Sequence, residues 1–370
     1  MIKVSGKEFL IERAIQAYIK DFDRNNCRDG ISTRDESIKW TAVANFARNW
    51  NVDADDMLSM WKICTKQAFI DTSHSHPTQG ISLLLKRQTE VEGVRQAFRN
   101  LFQENLVNID EKWDRILAFM DYINERISFV SPTSTIYLQT KESVLTYLNL
   151  WDPDHNYRYK PAPANNWASY IGYTDWESGQ RFSLRKYYKM CDEIHDQVKN
   201  HEELLRVHRQ RFENGEPDYD KELHILTFDV LYCFWGYEDA REEAIKEYHE
   251  VEKQQRIDEL EDRLNKIREE IQDKTHALDY PDCIGLKVNH RKYGKGIASD
   301  ISGDKISITF EDNVTKLFKY PGAFVEGYLQ TEDGTFMNRM VRNDQLEQDL
   351  MALREQAEQI AEELSTAQME

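Results

Sequence analysis

Apolar residues spaced alternately three and four positions apart run along two segments in the second half of the chain. Within 238–278 the repeat consists of Ile257, Leu260, Leu264, Ile267 and Ile271. Within 343–368 it consists of Leu346, Leu350, Leu353, Ala357, Ile360, Leu364 and Ala367. This spacing predicts two coiled-coil helices, each with one apolar seam. A seam of about three heptads is not stable alone in water, so each helix needs a partner.

Three kinds of partner are compatible with these seams. The two helices bracket 282–335, so they can pair with each other as an antiparallel hairpin within one chain. Each can instead pack on the N-terminal part of the chain, or on a second copy of it, which would give a homodimer through the coiled coil. The spacing favours the hairpin, because each seam then covers the other, and leaves the alternatives open.

The first 237 residues show mainly helical spacing of apolar positions. Segments with such an apolar stripe are 9–22, 37–50, 51–70, 89–105, 110–127, 181–212 and 221–237. Thr89 and Glu92 form a capping-box pattern, which predicts a helix start. Tyr157 and Tyr159 alternate with charged neighbours and predict a half-buried strand. We expect one compact, aromatic-rich body, with a further division near residue 130 left open.

Between 282 and 335 the apolar period changes from helical to two. Short alternating segments separated by turn residues predict four or five strands, among them LKVNH, GIASDI, KISITF and VTKLFKY. So many strands in so few residues predict a small, strongly bent β-barrel. The stretch HRKYGKGIAS, 290–299, has two glycines among basic residues but lacks the G-x-x-x-x-G-K-[ST] spacing of a phosphate-binding loop. Gly294 and Gly296 are therefore predicted to serve the backbone geometry of a barrel corner.

The residues of this module resemble a known pattern. They are Val288, His290, Tyr293, Gly294, Gly296, Phe310, Tyr320, Pro321 and Phe324. Together they resemble the SH3- or Tudor-like modules, with a V-x-H-x-x-[FY]-G-x-G core, of UvrD-type helicase C-termini and, more distantly, of CarD-type transcription regulators. The ending YPGAF also resembles a module of uncharacterised bacterial ATPase and phage-defence proteins.

This resemblance covers about fifty of the 370 residues. It implies an SH3-like fold that binds a protein partner, often a polymerase or effector subunit, or in some cases nucleic acid. No helicase motif accompanies the module, and its coiled-coil setting departs from the helicase arrangement, so a helicase role is not implied.

We therefore predict an α+β fold in four parts. They are a mainly α-helical body (1–237), a coiled-coil helix (238–278), an SH3/Tudor-like β-barrel (282–335) and a second coiled-coil helix (343–368). In this arrangement the two helices form an arm that carries the barrel.

The formal net charge of −18 is unevenly distributed. The segment 238–278 carries 14 acidic and 8 basic side chains, and 344–370 carries 8 and 1. The remainder is nearly balanced, so the acidity does not exclude a basic patch that binds nucleic acid.

Five dispersed cysteines without a CxxC pair predict neither a disulfide framework nor a zinc ribbon, and they favour a reducing cytosol. With no signal-peptide core and no apolar run of about 18 residues, we predict a cytoplasmic protein without a membrane segment.

Candidate catalytic carboxylates lie at the end of the predicted body. Asp218 and Asp220 belong to an acidic loop, and Asp229 interrupts an apolar run. A carboxylate in such a run needs hydrogen bonds or a cation, so Asp229 is either a structural anchor or part of a metal-dependent nuclease site with the other two. A nuclease site of this kind would also need an E-x-K motif on a strand. None is recognisable in the sequence, so the structural anchor is favoured.

Candidate metal ligands on the predicted helix 181–212 do not converge. Cys191, His195, His201 and His208 fall on two helix faces, so they do not close a four-ligand site. His74 and His76 are predicted to lie in a loop before Pro77. We therefore predict no metal and no cofactor, and favour a non-enzymatic role while leaving catalysis open.

The basic turn of the module, 287–295, and its aromatic neighbours are the predicted binding residues. They are Lys287, His290, Arg291, Lys292, Tyr293, Lys295, Phe318, Tyr320 and Phe324. The leading hypothesis is an adaptor that binds a protein partner through this module. The resemblance implies a bacterial or phage genome-maintenance or antiviral defence system. The alternatives are the nuclease and a nucleic-acid-binding module that uses the basic turn.

Overall fold

The computed structural model describes residues 6–26, 35–68, 70–103, 108–213, 215 and 217–369. The chain divides into two compact units, Met1–His249 and Glu250–Glu370, and the division falls within one long helix. The first unit is helical, and the second combines helices with a β-sheet, so the fold is α+β and mainly α-helical, as predicted.

The first unit contains twelve α-helices among its described residues and the start of a thirteenth. They are α1 (Gly6–Lys20), α2 (Phe22–Asn25), α3 (Ile38–Asn49), α4 (Met57–Thr65), α5 (Pro77–Leu85), α6 (Gln88–Leu101), α7 (Ile109–Val130), α8 (Lys141–Trp151), α9 (Pro161–Tyr170), α10 (Leu184–Val198), α11 (Glu202–Arg209), α12 (His224–Phe234) and α13 (Glu238–His276). Short 3-10 turns occur at Pro153–His155, Gly179–Arg181 and Gln210–Phe212.

Aromatic rings form the centre of the first unit. Trp61 is fully buried, and its ring lies 5.2 Å from that of Phe98 and 5.3 Å from that of Tyr147, measured between centroids. These residues come from α4, α6 and α8, so the apolar stripes predicted over 51–70 and 89–105 meet α8 in one core. Such ring pairs add about 0.5–1.5 kcal/mol each to the gain from burial.

Predictions made from local sequence patterns were wrong at three places in this unit. The predicted strand around Tyr157 and Tyr159 is an irregular segment, in which Arg158 between them is also buried. The predicted helix 181–212 is two helices, α10 and α11, because the chain leaves the helical path between them. Helix α6 begins at Gln88, with Arg87 rather than Thr89 at its N-cap.

The strand prediction failed because burial in 156–160 does not alternate. The Arg158 side chain donates from Nη2 to the carbonyl of Ala68 at 2.8 Å, which allows a guanidinium to lie among apolar residues. The capping box that the structure does contain is at the start of α8, where Thr140 and Ser143 bond to each other's backbone N–H.

The second unit contains a five-stranded antiparallel sheet that curls into a half-barrel. Its elements are β1 (Lys287–His290), β2 (Gly294–Ser302), β3 (Lys305–Phe310), β4 (Thr315–Lys319), α14 (Gly322–Val325), β5 (Leu329–Gln330) and α15 (Gly334–Met369). The strand order is β4-β3-β2-β1-β5, so β4 and β5 are the two edges. The first four strands coincide with the alternating segments of the sequence.

The glycines of HRKYGKGIAS have the backbone roles predicted for them. The stretch forms the β1–β2 hairpin, in which His290 pairs with Gly294. Gly294 has a φ of 74°, in the left-handed region that favours glycine. A Cβ at Gly296 would lie 2.7 Å from Ile308 Cγ2, so this strand position has no room for a side chain. The stretch is a strand corner and not a phosphate-binding loop.

The predicted seam residues of α13 and α15 contact one another within the chain. Ile257, Leu260 and Leu264 form a buried cluster with Ile360 and Ala367. A salt bridge of 2.9 Å joins Lys274 on α13 to Asp349 on α15. The two long helices of this unit are therefore apolar partners for each other.

The structure also bears on the cysteines and on possible membrane-spanning helices. Cys64, Cys191, Cys233 and Cys283 are buried and unbridged, while Cys27 lies outside the described residues. Within the described ranges, no helix is both long enough and apolar enough to cross a membrane.

Candidate functional site

Asp229 lies on the buried face of α12, at the centre of a cluster of charged side chains. Its Oδ1 accepts a hydrogen bond from Lys39 Nζ at 2.6 Å. Its Oδ2 accepts from Tyr18 Oη at 2.5 Å and from Arg211 Nη2 at 3.2 Å. Oδ1 also accepts from Cys233 Sγ at 3.6 Å, and because the carboxylate is fully buried, these four contacts replace its hydration.

Acids and cations alternate in this cluster. Lys39 also contacts the carboxylate of Glu36, so the salt bridges found among the described residues join two acids to two cations. Burial opposes the charged form of Asp229, but Lys39 and Arg211 outweigh it and hold the pKa of the carboxyl below its ordinary value. The cluster anchors α12 to α3 and to the 3-10 turn at Arg211.

Aromatic rings complete the surroundings of Arg211. Its guanidinium lies over the rings of Phe22 and Trp40, at 4.5 and 4.2 Å from their centroids. Its Nη1 donates to His208 Nδ1 at 3.0 Å, which requires a neutral imidazole. Burial, together with the charge of Arg211, lowers the pKa of His208 to about 3. The arrangement is fully desolvated and closely packed.

The residues around Asp229 do not suit a metal ion. Among the described residues, Glu36, Asp229 and Cys233 are the group of three possible ligands whose ligand atoms lie within 4.8 Å of one another. The ammonium of Lys39 contacts two of these three groups directly. Because that ammonium supplies the positive charge, a cation placed among these ligands would be repelled. The chemistry of the site is that of a structural ion cluster.

Asp218 and Asp220, the other predicted nuclease carboxylates, are engaged with backbone. Asp220 is fully buried and accepts from the N–H groups of Ile225 and Leu226 at 2.9 and 3.0 Å, which fixes the start of α12. Asp218 accepts from the N–H of Asp220 at 2.9 Å. Burial raises the pKa of both carboxyls. Neither belongs to the group of possible metal ligands that contains Asp229.

The predicted histidine and cysteine candidates are also dispersed. Cys191 is buried on α10, and His195 Nε2 on the same helix is hydrogen bonded to the carbonyl of Glu222 at 2.7 Å. His201 caps α11 by accepting from the N–H of Leu204. The segment with His74 and His76 is a loop, as predicted, and His76 is the N-cap of α5.

The second candidate site is a cluster of rings at the β1–β2 hairpin, which we call the hairpin cluster: His290, Tyr293, Phe310 and Phe318. The His290 ring lies 4.8 Å from that of Tyr293 and 5.1 Å from that of Phe318. Tyr293 lies 5.3 Å from Phe310. Phe310 is buried, whereas Tyr293 keeps 38% of its surface exposed, so the cluster reaches from the core to the surface.

Local hydrogen bonds fix the shape of this cluster. His290 Nδ1 accepts from the backbone N–H of Lys292 at 3.0 Å and of Tyr293 at 3.2 Å. These bonds hold the hairpin turn, and with it the Tyr293 ring, against the sheet. A ring that is ordered before binding loses little entropy when a partner covers it.

Basic side chains surround the hairpin cluster. Lys292 Nζ and Lys316 Nζ lie 5.4 and 5.9 Å from the centroid of the Tyr293 ring. Lys287, Arg291 and Lys295 are exposed on the same hairpin and its strands. Residues 287–319 carry seven basic and four acidic side chains, so this part of an acidic protein is locally positive.

Tyr320 and Phe324, which the sequence placed among the binding residues, belong to the core of the second unit. Phe324 is fully buried, with its ring 4.9 Å from that of Phe336 on α15. Tyr320 is 7% exposed. The aromatic ending YPGAF therefore packs the sheet against α15 and does not present rings to a partner.

Two groups of site residues were missed by sequence reasoning. The cations that contact Asp229 come from positions 39 and 211, which are far apart in the chain. One of them could have been suspected from the sequence, because Lys39 lies on the same helical stripe as the apolar residues Val43 and Phe46, where a buried lysine needs an acid. Lys316 on β4 was missed because only the pairing of β3 with β4 brings it beside Tyr293.

Comparison with known proteins found no matching family model, no matching curated protein and no matching solved structure.

Proposed function

We propose that this protein is a non-enzymatic interaction subunit, an adaptor, whose second unit binds an acidic segment of a protein partner at the hairpin cluster. The observation that carries the proposal is the half-exposed Tyr293 ring, set on buried rings and flanked by Lys292 and Lys316. Tyrosine is enriched where proteins bind one another and among the residues that contribute most to binding, and the lysines add charge that steers an acidic partner.

The charge of the surface defines the partner. Lys287, Arg291, Lys292, Lys295 and Lys316 have no carboxylate within 4.0 Å in the described part of the chain. Positive charge without an internal counter-ion favours an acidic partner and speeds its encounter. An apolar side chain of that partner would cover Tyr293 while its carboxylates meet the lysines.

The β4 edge beside this surface carries further exposed apolar side chains. Leu317 is 65% exposed, on the face of the sheet opposite to Lys316 because side chains alternate along a strand, and Val314, the residue before β4, is 40% exposed. Among the described strands β4 is an edge of the sheet, so its outer backbone groups are not paired with another strand. An extended acidic segment lying along β4 would contact both the edge and the hairpin cluster.

The resemblance of this unit to SH3- or Tudor-like modules supports the same function. The curled antiparallel sheet is compatible with the fold that the resemblance implies. The resemblance also suggests the setting, a bacterial or phage genome-maintenance or antiviral defence system, and the dispersed cysteines favour the cytoplasm. The contacts between α13 and α15 support the antiparallel coiled-coil hairpin as the mounting of this unit.

The nuclease alternative has less support than the adaptor. Asp218, Asp220 and Asp229 are committed to backbone N–H groups or to buried cations, and their environments differ from that of solvent-accessible metal ligands. Their contacts account for them as structural residues.

Nucleic acid is the second candidate ligand of the hairpin cluster. The same basic side chains, with Tyr293 available for stacking, suit a phosphate backbone and an unpaired base. This alternative predicts steeply salt-dependent binding that disappears when Arg291, Lys292 and Lys295 are changed to Glu.

The test compares two triple variants of equal composition. Tyr293→Ala, Lys292→Glu and Lys316→Glu change the hairpin cluster. Tyr328→Ala, Lys305→Glu and Lys266→Glu remove an exposed tyrosine and two exposed lysines of the same unit that lie outside the hairpin cluster and β4. Partners captured by the wild-type protein from its native host are identified by mass spectrometry, purified and titrated against all three proteins.

The adaptor proposal predicts that the partner's affinity falls at least ~30-fold for the hairpin variant, since an aromatic anchor and two charges are lost. The control variant retains binding. Equal affinities for the two variants, or binding of the hairpin variant at wild-type strength, contradict the proposal. Tight, salt-sensitive binding of oligonucleotides without any protein partner supports the nucleic-acid alternative.

A further inference from the structure

A cavity with one cationic wall lies between α4 and α5 of the first unit, away from the cluster around Asp229. Its volume is ≈ 520 Å³. The charged wall consists of Lys62 and Lys66, one helical turn apart, and Lys86, which directly follows α5. Pocket volumes of about 300–1,000 Å³ are typical of sites that enclose small molecules.

Among the described residues, none of the three lysines has a salt-bridge partner, although Lys62 acts electrostatically on Asp56. No carboxylate lies within 4.0 Å of Lys62, Lys66 or Lys86 across the described ranges. The acid that lines the cavity, Asp71, accepts from the N–H and the hydroxyl of Thr78 at 2.9 and 2.6 Å. Three like charges around one cavity repel one another, in a chain whose net charge is −18.

Helix ends explain part of this arrangement. Lys62 lies in the last turn of α4, while Lys66 and Lys86 are the C-caps of α4 and α5, where a cation stabilises the helix dipole by about 0.3–1 kcal/mol. That role needs no cavity and does not account for three lysines that line the same one. The convergence of the charges on an open volume is the observation that points to a ligand.

Apolar and aromatic side chains also line the cavity. They are Ile70, Leu83 and Tyr137, so one ligand can contact both lysines and apolar or aromatic side chains there. The hydroxyls of Thr65 and Ser82 donate to carbonyls of their own helices, at 2.8 and 3.0 Å. The lysine ammonium groups are therefore the principal donors that remain for a ligand.

We propose that this cavity binds a phosphate-bearing small molecule of nucleotide size, with its phosphates on the three lysines and its ring against Tyr137. Lysine ammonium groups are point charges that suit phosphate oxygens. The site is in the first unit, so it stands or falls independently of the adaptor function of the second.

The test measures binding to the full-length protein by isothermal titration calorimetry in 50 mM salt. ATP, inorganic pyrophosphate and adenosine are the three probes. ATP and pyrophosphate are expected to bind with Kd below ~1 mM, ATP more tightly because it also uses the apolar wall, and adenosine much more weakly. Raising the salt is expected to weaken pyrophosphate binding, since the lysines are exposed.

Matched variants locate the site. The triple change Lys62→Gln, Lys66→Gln and Lys86→Gln is expected to weaken ATP binding ~30-fold or more. A control with the same change of charge, Lys20→Gln, Lys189→Gln and Lys221→Gln, alters lysines of the first unit that do not line the cavity. Gln79→Glu places a carboxylate on the cavity wall with almost no change of shape, and decides the question if the triple variant does not fold.

Three results would overturn the proposal. They are the failure of ATP and pyrophosphate to bind the wild-type protein, binding of adenosine as tight as that of ATP, and an equal loss of affinity in the cavity and control variants. A loss confined to the cavity variant or to Gln79→Glu supports it.

Discussion

Replacing Asp229 with Asn tests whether the buried ion cluster stabilises the first unit or serves catalysis. The substitution keeps the shape of the side chain but removes the negative charge that faces Lys39 and Arg211, at 2.6 and 3.2 Å. One negative charge, on Glu36, then remains for two cations. Breaking a buried ion pair by removing one partner costs about 3–5 kcal/mol, because the other charge stays desolvated.

Urea unfolding followed by tryptophan fluorescence measures this cost. All eight tryptophans lie between residues 40 and 235, so the signal reports the first unit alone. With an m-value of ~3 kcal/mol/M, a cost of about 3–5 kcal/mol lowers the midpoint by roughly 1–1.7 M. The native pKa of Asp229 is below its ordinary value, so its contribution is complete above about pH 4, and is lost as the pH falls through the native pKa. Measurement at pH 7 therefore captures all of it.

An exposed ion pair supplies the control. Asp110 and Arg185 lie 2.6 Å apart, but their side chains are 69% and 62% exposed, so Asp110→Asn should cost less than about 1 kcal/mol. Adding Arg211→Gln to Asp229→Asn restores the charge balance, and the double variant should lose less stability than the two single changes together. If Asp229→Asn unfolds at the same urea concentration as Asp110→Asn, the structural role assigned to the cluster is refuted. A lost enzymatic activity with unchanged stability would favour the nuclease instead.

Three further predictions concern other parts of the chain. The pKa of His208 is lowered to about 3 in the folded protein, against about 6.5 in the unfolded chain. Its contribution to stability is therefore complete above about pH 6.5 and is lost as the pH falls towards 3. His208→Asn should flatten the curve of stability against pH, measured by urea titration, by about 1 kcal/mol per pH unit between about pH 6 and 5. Gly80→Ala should destabilise the first unit by about 1–3 kcal/mol, since its Cβ would lie 2.1 Å from the Tyr137 carbonyl oxygen, and a fluorescence midpoint equal to wild type would contradict this. In the second unit, Phe324→Ala should cost about 3–5 kcal/mol and Tyr293→Ala under about 1 kcal/mol; hydrogen exchange in β3 should increase for the first variant and not for the second.

Periodicity was sufficient where the structure is local. Strands β1 to β4 lie where apolar residues alternate, because the two faces of a strand experience different solvents whatever the partner is. Turn glycines are equally local: Gly294 is a glycine because its own φ requires it. The heptad spacing is local too, so it predicts that α13 and α15 each need another helix to cover their apolar seams.

Tertiary contacts decided the features that depend on distant residues. The sequence indicated that Asp229 needs a cation, but only the packing of α12 against α3 and the turn at Arg211 shows that the cations are lysine and arginine and not a metal. Tyr159 follows a strand pattern without a strand, because Arg158 between the two tyrosines finds a buried carbonyl from another part of the chain.

The same distinction separates the aromatic residues of the second unit. In the sequence, Tyr293 and Phe324 are both aromatic, and both are among the residues that carry the resemblance to SH3- or Tudor-like modules. Either could therefore be predicted to lie on a binding surface. Packing with Phe336 on α15 buries Phe324, whereas the hairpin turn leaves Tyr293 partly exposed. Sequence by itself determined which residues are apolar and how they are spaced along each element. The tertiary structure decided which of them are covered, because coverage depends on residues that lie elsewhere in the chain.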